Sequence, residues 1–492
     1  MKLHKVSALA AVSILAIAAC STSTGSSAPS AGASTGTGGS PVASKGELKL
    51  GVTLPLSGGA AADGQPTLKG AQLAVDAANA AGGVAGYTIK LVPLDHAVNG
   101  KYNEQQGAQD MQTFVADSKV IGVVGPYNSA VAKVQIPISN AAGLLQCSPA
   151  NTNETLTKPP AALDFRKTNP TKINYIRVAA TDDIQGPAMA IYAFNTLGLK
   201  NLLIVDDVTT FGKGVADNFQ KKYEELGGKV VLRQGAPADT TDFNGIISSQ
   251  ALTATPPDGV YYGGVVTSGG GLFLKQLRQA GLAVPFMGPD GIVNGSGSDK
   301  GSLIQIAGAD AAKNSYGTVA AIGDFPGKKD FDAAYTEHFK ADADFKTPGA
   351  YSGPANACAV VILKSLEAAI AAGATDDAAI REGVRKYASD PANKFETVLG
   401  TESFDVNGDT TQPYISFYVT DPAAKSGTVF GSYVFRSDDE TWEGDFAGRM
   451  SAEESVGTWD GRSHKGRRLA GTFVQIGEGA YRCEWYVLGI ES

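Results

Sequence analysis

The sequence predicts an α/β protein of two lobes, each built on a parallel sheet, followed by a small β-rich tail. Three observations carry this expectation. Strand-like and helix-like segments alternate from residue 49 to 152 and again from 201 to 288, giving two series of βα units. At 492 residues the chain is longer than one hydrophobic core comfortably organises. Beyond Pro422 the composition changes: all three tryptophans, Trp442, Trp459 and Trp485, fall there, and proline is absent.

Taken in order, residues 49–54 (KLGVTL) read as a first strand, and Leu68, Ala71, Val75 and Ala78 mark one face of a helix that Gly82 and Gly83 terminate. Residues 87–94 form the second strand, and Ala108, Met111 and Val115 line the second helix. The stretch 121–152 is central. Ile121, Val123 and Val124 run into Gly125, Pro126, Tyr127, Asn128 and Ser129, and residues 144–147 run into Ser148, Pro149, Ala150, Asn151 and Thr152. Two parallel strands ending this way bring small hydroxyl residues and free backbone N–H groups to one sheet edge, where a small anion is well received.

Residues 153–172 are irregular, polar and proline-rich, which predicts a surface insertion before a strand at 175–178. Residues 181–187 break the chain and open a helix. Residues 201–205 then begin the second series, with Val215, Phe219, Tyr223 and Leu226 on its first helix, Gly227 and Gly228 as the stop, and strands at 259–266 and 285–288. Residues 331–373 are helical, with Val360, Leu363, Leu366 and Ile370 on one face. Residues 397–420 turn to strands around an Asn407–Gly408 turn. Tyr481, Cys483, Trp485 and Val487 alternate with Arg482, Glu484 and Tyr486, so residues 426–492 read as an appended antiparallel β module.

Several functions are poorly supported. The net charge of −8, with no long basic run, argues against nucleic acid as a partner. The four histidines, His4, His96, His338 and His464, form no pair at metal-ligand spacing. A serine triad at Ser129 or Ser148 has only His96 as a candidate base, and His96 reads as a surface loop residue. Residues 269–271 lack the Lys-Ser/Thr of a phosphate loop, and residues 294–298 read as a loop and not a nucleophile elbow. No catalytic residue, metal or cofactor is expected.

Lys2 and Lys5 precede an apolar run, 8–19, that is too short to span a bilayer and is followed by Cys20. This resembles a bacterial lipoprotein signal, 1–19, with lipid added to the Cys20 sulfur and a flexible Ser/Thr/Gly/Ala tether over 20–45. The folded part is then extracytoplasmic, and Cys147, Cys358 and Cys483 meet an oxidising compartment. A Cys147–Cys358 disulfide is the preferred reading, with two buried free thiols as its alternative.

Six blocks carry a broader resemblance: 52–59 (VTLPLSGG), 122–129 (GVVGPYNS), 148–152 (SPANT), 183–187 (DIQGP), 260–264 (VYYGG) and 286–291 (FMGPDG). In this order, across residues 47–422, they resemble the branched-chain amino-acid binding proteins of ABC importers. The resemblance implies the type I periplasmic-binding-protein fold, with two Rossmann-like lobes joined by a three-strand hinge: 46–180 with 322–400, and 181–321 with 401–425. It also implies that Ser129 and Thr152 bind a ligand carboxylate, while the carbonyl of Ala150 and the carboxylate of Asp290 receive an α-ammonium. Phe211 keeps an aromatic side-chain pocket. Val265 and Asp63 replace aromatic residues of the leucine-type binders, and Asp63 disfavours a bare aliphatic ligand if it faces the cleft.

The function implied is a monomeric, lipid-anchored binding protein that delivers an amino acid, branched-chain or a related small zwitterion, to an ABC permease without catalysis. A binder or sensor of an amide or aromatic acid is the alternative within the binding class, and the lack of a membrane segment after residue 422 argues against a one-chain receptor. A secreted hydrolase and adhesion through the tail are alternatives from other classes.

Overall fold

Leu48, Leu50, Val52 and Leu54 occupy every second position of β1 (Glu47–Leu54), so all four point to one face of a sheet, and all are buried. The computed structural model describes residues 45–292, 301–321, 323 and 325–420, with strand backbones at 428–436, 441–443, 456–462, 467–477 and 480–490. The signal segment, Cys20, the tether and residues 294–298 lie outside them, as does the Cys483 side chain.

After β1 come α1 (Ala61–Ala80), β2 (Thr88–Asp95), the small hairpin β3 (Ala97–Val98) and β4 (Lys101–Tyr102), α2 (Glu104–Ala116), β5 (Val120–Val124), α3 (Ser129–Ala142), β6 (Gln146–Ser148), the short α4 (Ala162–Phe165) and β7 (Tyr175–Arg177). The sheet runs β2-β1-β5-β6-β7 with every pairing parallel. Ile121 and Val124 of β5 join the β1 side chains in one core, while Val120 and Val123 join Met111 and Phe114 of α2 in another. Helices therefore cover both faces, which is why these strands read as continuous apolar runs. Gly51 is required here, because a Cβ there would lie 2.9 Å from the Phe114 ring. The insertion after β6 is less superficial than its polarity predicts: Leu156 is buried with Ala132, Ile136 and Tyr175.

The second lobe continues with α5 (Asp182–Ile191), β8 (Asn201–Asp206), α6 (Thr210–Glu225), β9 (Lys229–Gly235), the short α7 (Asn244–Ile247) and α8 (Gln250–Ala254), β10 (Gly259–Gly263), α9 (Gly270–Gln279), β11 (Phe286–Gly288), the short α10 (Leu303–Ala307) and α11 (Ala309–Ala312), and β12 (Ser315–Val319). Leu202 and Ile204 of β8 pack with Phe219 and Tyr223 of α6, whereas Leu203 and Val205 pack with Phe273 and Leu277 of α9. Each such buried side chain contributes about 1.5–3 kcal/mol relative to exposure. β10 stops at Gly263, earlier than the apolar run suggests, because Gly264 takes a φ of 155° and residues 266–268 form a 3-10 turn.

The chain then returns through α12 (Lys328–His338), α13 (Ser352–Ala371) and α14 (Asp377–Ala388) to the first lobe's core, and makes the hairpin of β13 (Phe395–Thr397) and β14 (Gly400–Glu402). α13 is long and apolar enough to span a membrane, but it is mostly buried in that core. β15 (Tyr414–Val419) pairs antiparallel with β12 and completes the crossing back. Of the tail strands, β16 (Thr428–Arg436) and β17 (Thr441–Glu443) extend the second sheet, whose order is β17-β16-β15-β12-β11-β10-β8-β9. β18 (Val456–Arg462), β19 (Arg467–Gly477) and β20 (Ala480–Ile490) form their own antiparallel sheet.

Three crossings join the lobes, and they bond side by side: Arg177 N donates to Gly408 O at 3.0 Å, Ala180 N to Ala320 O at 2.9 Å, and Ser416 Oγ to Ala321 O at 2.8 Å. The buried Arg177 guanidinium binds Asp409 Oδ1 at 2.6 Å through Nε and the carbonyls of Asn151 and Asn153 at 3.2 and 2.8 Å through Nη1. Cys147 and Cys358 form a disulfide with an S–S distance of 2.17 Å, tying β6 to α13. Replacing Cys147 with Ser is expected to lower stability by about 2–5 kcal/mol in denaturant unfolding, and reductant should reproduce the loss in the wild-type protein. Asp409→Ala strands a buried cation and is expected to cost about 3–5 kcal/mol. A loss below about 1 kcal/mol would place the pair with solvent-screened surface bridges.

Candidate functional site

The parallel register of β5 and β6 pairs Val124 with Cys147, so the turns that follow both strands meet at one edge. Ser148 stitches them together. Its hydroxyl donates to Pro126 O at 2.7 Å and accepts from Asn151 N at 2.9 Å. Asn151 in turn donates through Nδ2 to Tyr127 O at 2.6 Å and accepts from the Tyr175 hydroxyl at 2.8 Å. Tyr127, Asn128, Ser129, Ala150 and Thr152 therefore form one wall of a cleft. α3 begins at Ser129 with no side-chain cap, leaving its first N–H groups toward that cleft. Ser129 Oγ lies 3.4 Å from Asn153 N. Thr152 Oγ1 is buried without a partner in hydrogen-bond geometry, although it lies close enough to Asp182 to offset a small part of the rise that burial imposes on that carboxyl's pKa.

The opposite wall comes from the second lobe's strand ends: Asp207, Thr209 and Phe211 after β8, Val265 after β10, and Asp290 and Gly291 after β11. Tyr102 of β4 completes the lining. Asp290 is buried, and burial pushes its pKa up to about 6. It accepts from Gln185 Nε2 and from the Tyr351 hydroxyl, each at 2.8 Å. Burial likewise raises Asp207 to about 6, against hydrogen bonds from Ser268 Oγ and Thr209 Oγ1, each at 2.6 Å. Behind Thr152, burial together with Glu154 and Asp290 pushes Asp182 well above the usual carboxyl range. Among the described residues of the lining, none is Lys, Arg or His. The lobes touch around the cleft, with Asn153 Nδ2 donating to Thr210 O at 3.0 Å and Asn218 Nδ2 to Glu154 Oε1 at 3.1 Å.

The structure thus brings Ser129, Ala150, Thr152, Phe211, Val265 and Asp290 to one cleft. Asp63 stands outside that lining. It sits half-buried in the first turn of α1, and the phenol of Tyr127, raised by burial and then by Asp63 and Asp290, stands under its influence. His96 is a second correction, for it is fully buried and not a surface residue. Its ring lies 3.1 Å from Thr53 Oγ1 through Nδ1 and 3.1 Å from Asn128 Oδ1 through Nε2, and burial lowers its pKa to about 4. It is a neutral prop, with no serine among these ring partners.

Sequence reasoning missed Tyr102, Tyr127, Asn128, Ala130, Asp207, Thr209 and Gly291 in the lining, and Gln185 and Tyr351 behind it. Tyr127 and Asn128 were within reach, since they lie in the same turn as Ser129. Asp207 and Thr209 follow β8 as Ser129 follows β5, so the strand-end rule points to them as well.

The family described as periplasmic binding protein matches residues 47–428 of this chain. A Leu/Ile/Val-binding protein homolog of Brucella abortus is 32% identical over 372 residues, covering 75% of this chain and 90% of the relative. A leucine-, isoleucine-, valine-, threonine- and alanine-binding protein of Pseudomonas aeruginosa is 30% identical over 363 residues, covering 74% and 87%. Among solved structures, a leucine binding protein from Thermotoga maritima superposes with a TM-score of 0.64 at 26% identity over 80% of this chain and 99% of its own. The branched-chain amino acid transporter substrate binding protein of Streptococcus pneumoniae, solved with isoleucine, gives 0.62 at 25% identity over 78% and 99%. The chain belongs to the periplasmic binding protein family, in its branched-chain amino-acid-binding branch, and is an extracytoplasmic solute-binding protein with the two-lobed type I fold.

Proposed function

We propose that this protein captures an α-amino acid as a zwitterion in the interlobe cleft and delivers it to an ABC permease, working as a monomer tethered to the membrane by lipid on Cys20. The observation that carries the ligand class is the opposition of two unlike ends in one cleft: the uncapped N-terminus of α3, with Ser129 and Thr152, and the buried carboxyl of Asp290. The first supplies N–H and O–H donors to a carboxylate. The second, together with the Ala150 carbonyl, accepts from an ammonium. A zwitterion leaving water needs both, because each unpaired buried charge costs several kcal/mol by order of magnitude.

An aromatic acid or amide fits less well. A carboxylate-only ligand would enter a cleft whose described lining holds two acids and no cation. Hydrolysis is disfavoured because the lining holds no histidine among its described residues and His96 is engaged by Asn128. The named ligands of the relatives above, leucine, isoleucine and valine and in one case also threonine and alanine, support an amino acid. Phe211, Tyr127 and Val265 supply an apolar side-chain wall. No bond is made or broken: closure is favoured by tighter ligand contact in the closed form, and a micromolar dissociation constant corresponds to about 8 kcal/mol.

A thermal-shift screen of amino acids and close analogues should raise the melting temperature with at least one α-amino acid. By calorimetry with that ligand, Asp290→Ala and Thr152→Ala should each weaken binding at least about tenfold, or about 1.4 kcal/mol. Unchanged affinity in both would remove these residues from the pocket. Asp290 must be ionised to meet an ammonium, and its pKa is raised to about 6. Affinity is therefore expected to hold above pH 6 and to fall toward a limiting tenfold per unit below it. Asp290→Asn should flatten most of that fall.

A further inference from the structure

Tyr102 reaches the cleft from the β3–β4 hairpin, whereas the rest of the first lobe's wall comes from the turns after β5 and β6. The hairpin is built firmly into the first lobe. His96 N donates to Leu54 O at 3.1 Å, Asp95 Oδ1 accepts from Leu56 N at 2.7 Å and Ala97 N at 2.8 Å, and Gly100 O accepts from Ala60 N at 3.2 Å. Its tip is glycine by necessity: Gly100 has a φ of 78°, and a Cβ on the facing Gly58 would fall 2.2 Å from the Gly100 Cα. From this base the hairpin reaches across to the second lobe, where Lys101 Nζ donates to Ala238 O at 3.3 Å.

Asp207 follows β8 and Asp290 follows β11, and β10 lies between those strands in the sheet, so the two acids stand at opposite ends of the second lobe's wall. Asp290 accepts from Gln185 and Tyr351, and Asp207 accepts from Thr209 and Ser268 at its own end. Tyr102 belongs to the Asp207 end: it is half-buried in the lining with Asp207 and Thr209, which both act on its phenol. An α-amino acid anchored between α3 and Asp290 points its side chain away from both charged groups. At the Asp207 end the Tyr102 ring is the bulk that the first lobe contributes beside Asp207 and Thr209 of the second.

We propose that Tyr102 is the specificity-determining residue that closes the far end of the cleft, so that ligand side-chain length is set by a first-lobe hairpin that reaches the second lobe. This rests on the amino-acid reading given above. It makes the ligand a short-side-chain α-amino acid, and it assigns Tyr102 a steric role that its ring performs without its hydroxyl.

The test is calorimetry of the full-length protein, Tyr102→Phe and Tyr102→Ala against glycine, alanine, valine, leucine, phenylalanine and lysine, with the melting temperature of each ligand-free protein as the folding control. Supporting behaviour is a rise of at least tenfold in the affinity ratio of long to short side chains in Tyr102→Ala, and a change below about threefold in Tyr102→Phe. The inference is overturned if Tyr102→Ala shifts every member by the same factor or leaves the ratios unchanged, and also if Tyr102→Phe moves the ratio as far as Tyr102→Ala, which would give the selection to the hydroxyl. If the wild-type protein binds no member of the series, the amino-acid reading itself fails and carries this inference down with it. Binding with unmoved ratios overturns the inference alone. Should Tyr102→Ala melt early, Tyr102→Leu, which keeps apolar bulk but shortens reach, must show the same direction of change or the inference falls.

Discussion

One guanidinium holds the molecule's working parts in register. Arg177 leaves β7 at the point where the chain crosses between lobes, and its side chain is fully buried. Its Nε meets Asp409 on the third crossing, and its Nη1 meets the carbonyls of Asn151 and Asn153 in the turn that carries Thr152. Thr157 Oγ1 closes the set by donating to Asp409 Oδ2 at 3.0 Å. A buried ion pair of this kind gives little net stability over an apolar replacement, since desolvation offsets much of the attraction. What it gives here is position. The five planar donors of an arginine fix angles as well as distances, so hinge and pocket floor are located by the same group.

The charge pattern of the cleft follows a different rule. Asp290 receives only neutral donors, Gln185 from the second lobe and Tyr351 from the start of α13, which packs on the first. Neutral hydrogen bonds stabilise a carboxylate less than a cation does, and the balance leaves its pKa near 6. Under the amino-acid proposal, an arriving ammonium supplies the counter-charge that the protein withholds. Tyr351 packs both in the second lobe's core and against Tyr127 of the first, so the Asp290 carboxylate lies at the seam between the lobes. The Tyr127 and Tyr351 rings, edge to face with centroids 5.5 Å apart, exclude water around it.

How far the sequence reaches into this site depends on how local the cause is. The ends of β5 and β6 are legible because largely apolar runs stop at Gly-Pro and Ser-Pro, and parallel pairing then brings Ser129 and Thr152 together. Gln185 and Tyr351 are not legible as partners of Asp290, from which they stand 105 and 61 residues away, since only the packing of α5 and α13 brings them there. Asp63 shows the reverse difficulty. Its position after the first block gives its place in the helix, but the direction of a half-buried side chain in a first turn is decided by packing, which here leaves Asp63 near enough to Tyr127 to act on its phenol. The insertion after β6 was read from its polarity, yet Leu156 finds a small apolar site under α3 that composition does not disclose.

His96 and Asn128 show why a good capping residue can leave a helix uncapped. Asn is among the strongest N-cap residues, and Asn128 has the extended backbone that a cap requires. Its Oδ1 is instead held by His96 Nε2, so it bonds none of the first N–H groups of α3. Forgoing a cap costs about 1 kcal/mol. The imidazole that holds the amide away is buried and resists protonation down to about pH 4, whereas the same group in an unfolded chain takes a proton near 6.5. Between those values the unfolded chain binds the extra proton, so this contact weakens the fold as pH falls and is free of that penalty above it. At neutral pH the histidine keeps the helix end open, and the donors that a cap would have consumed remain for an anion.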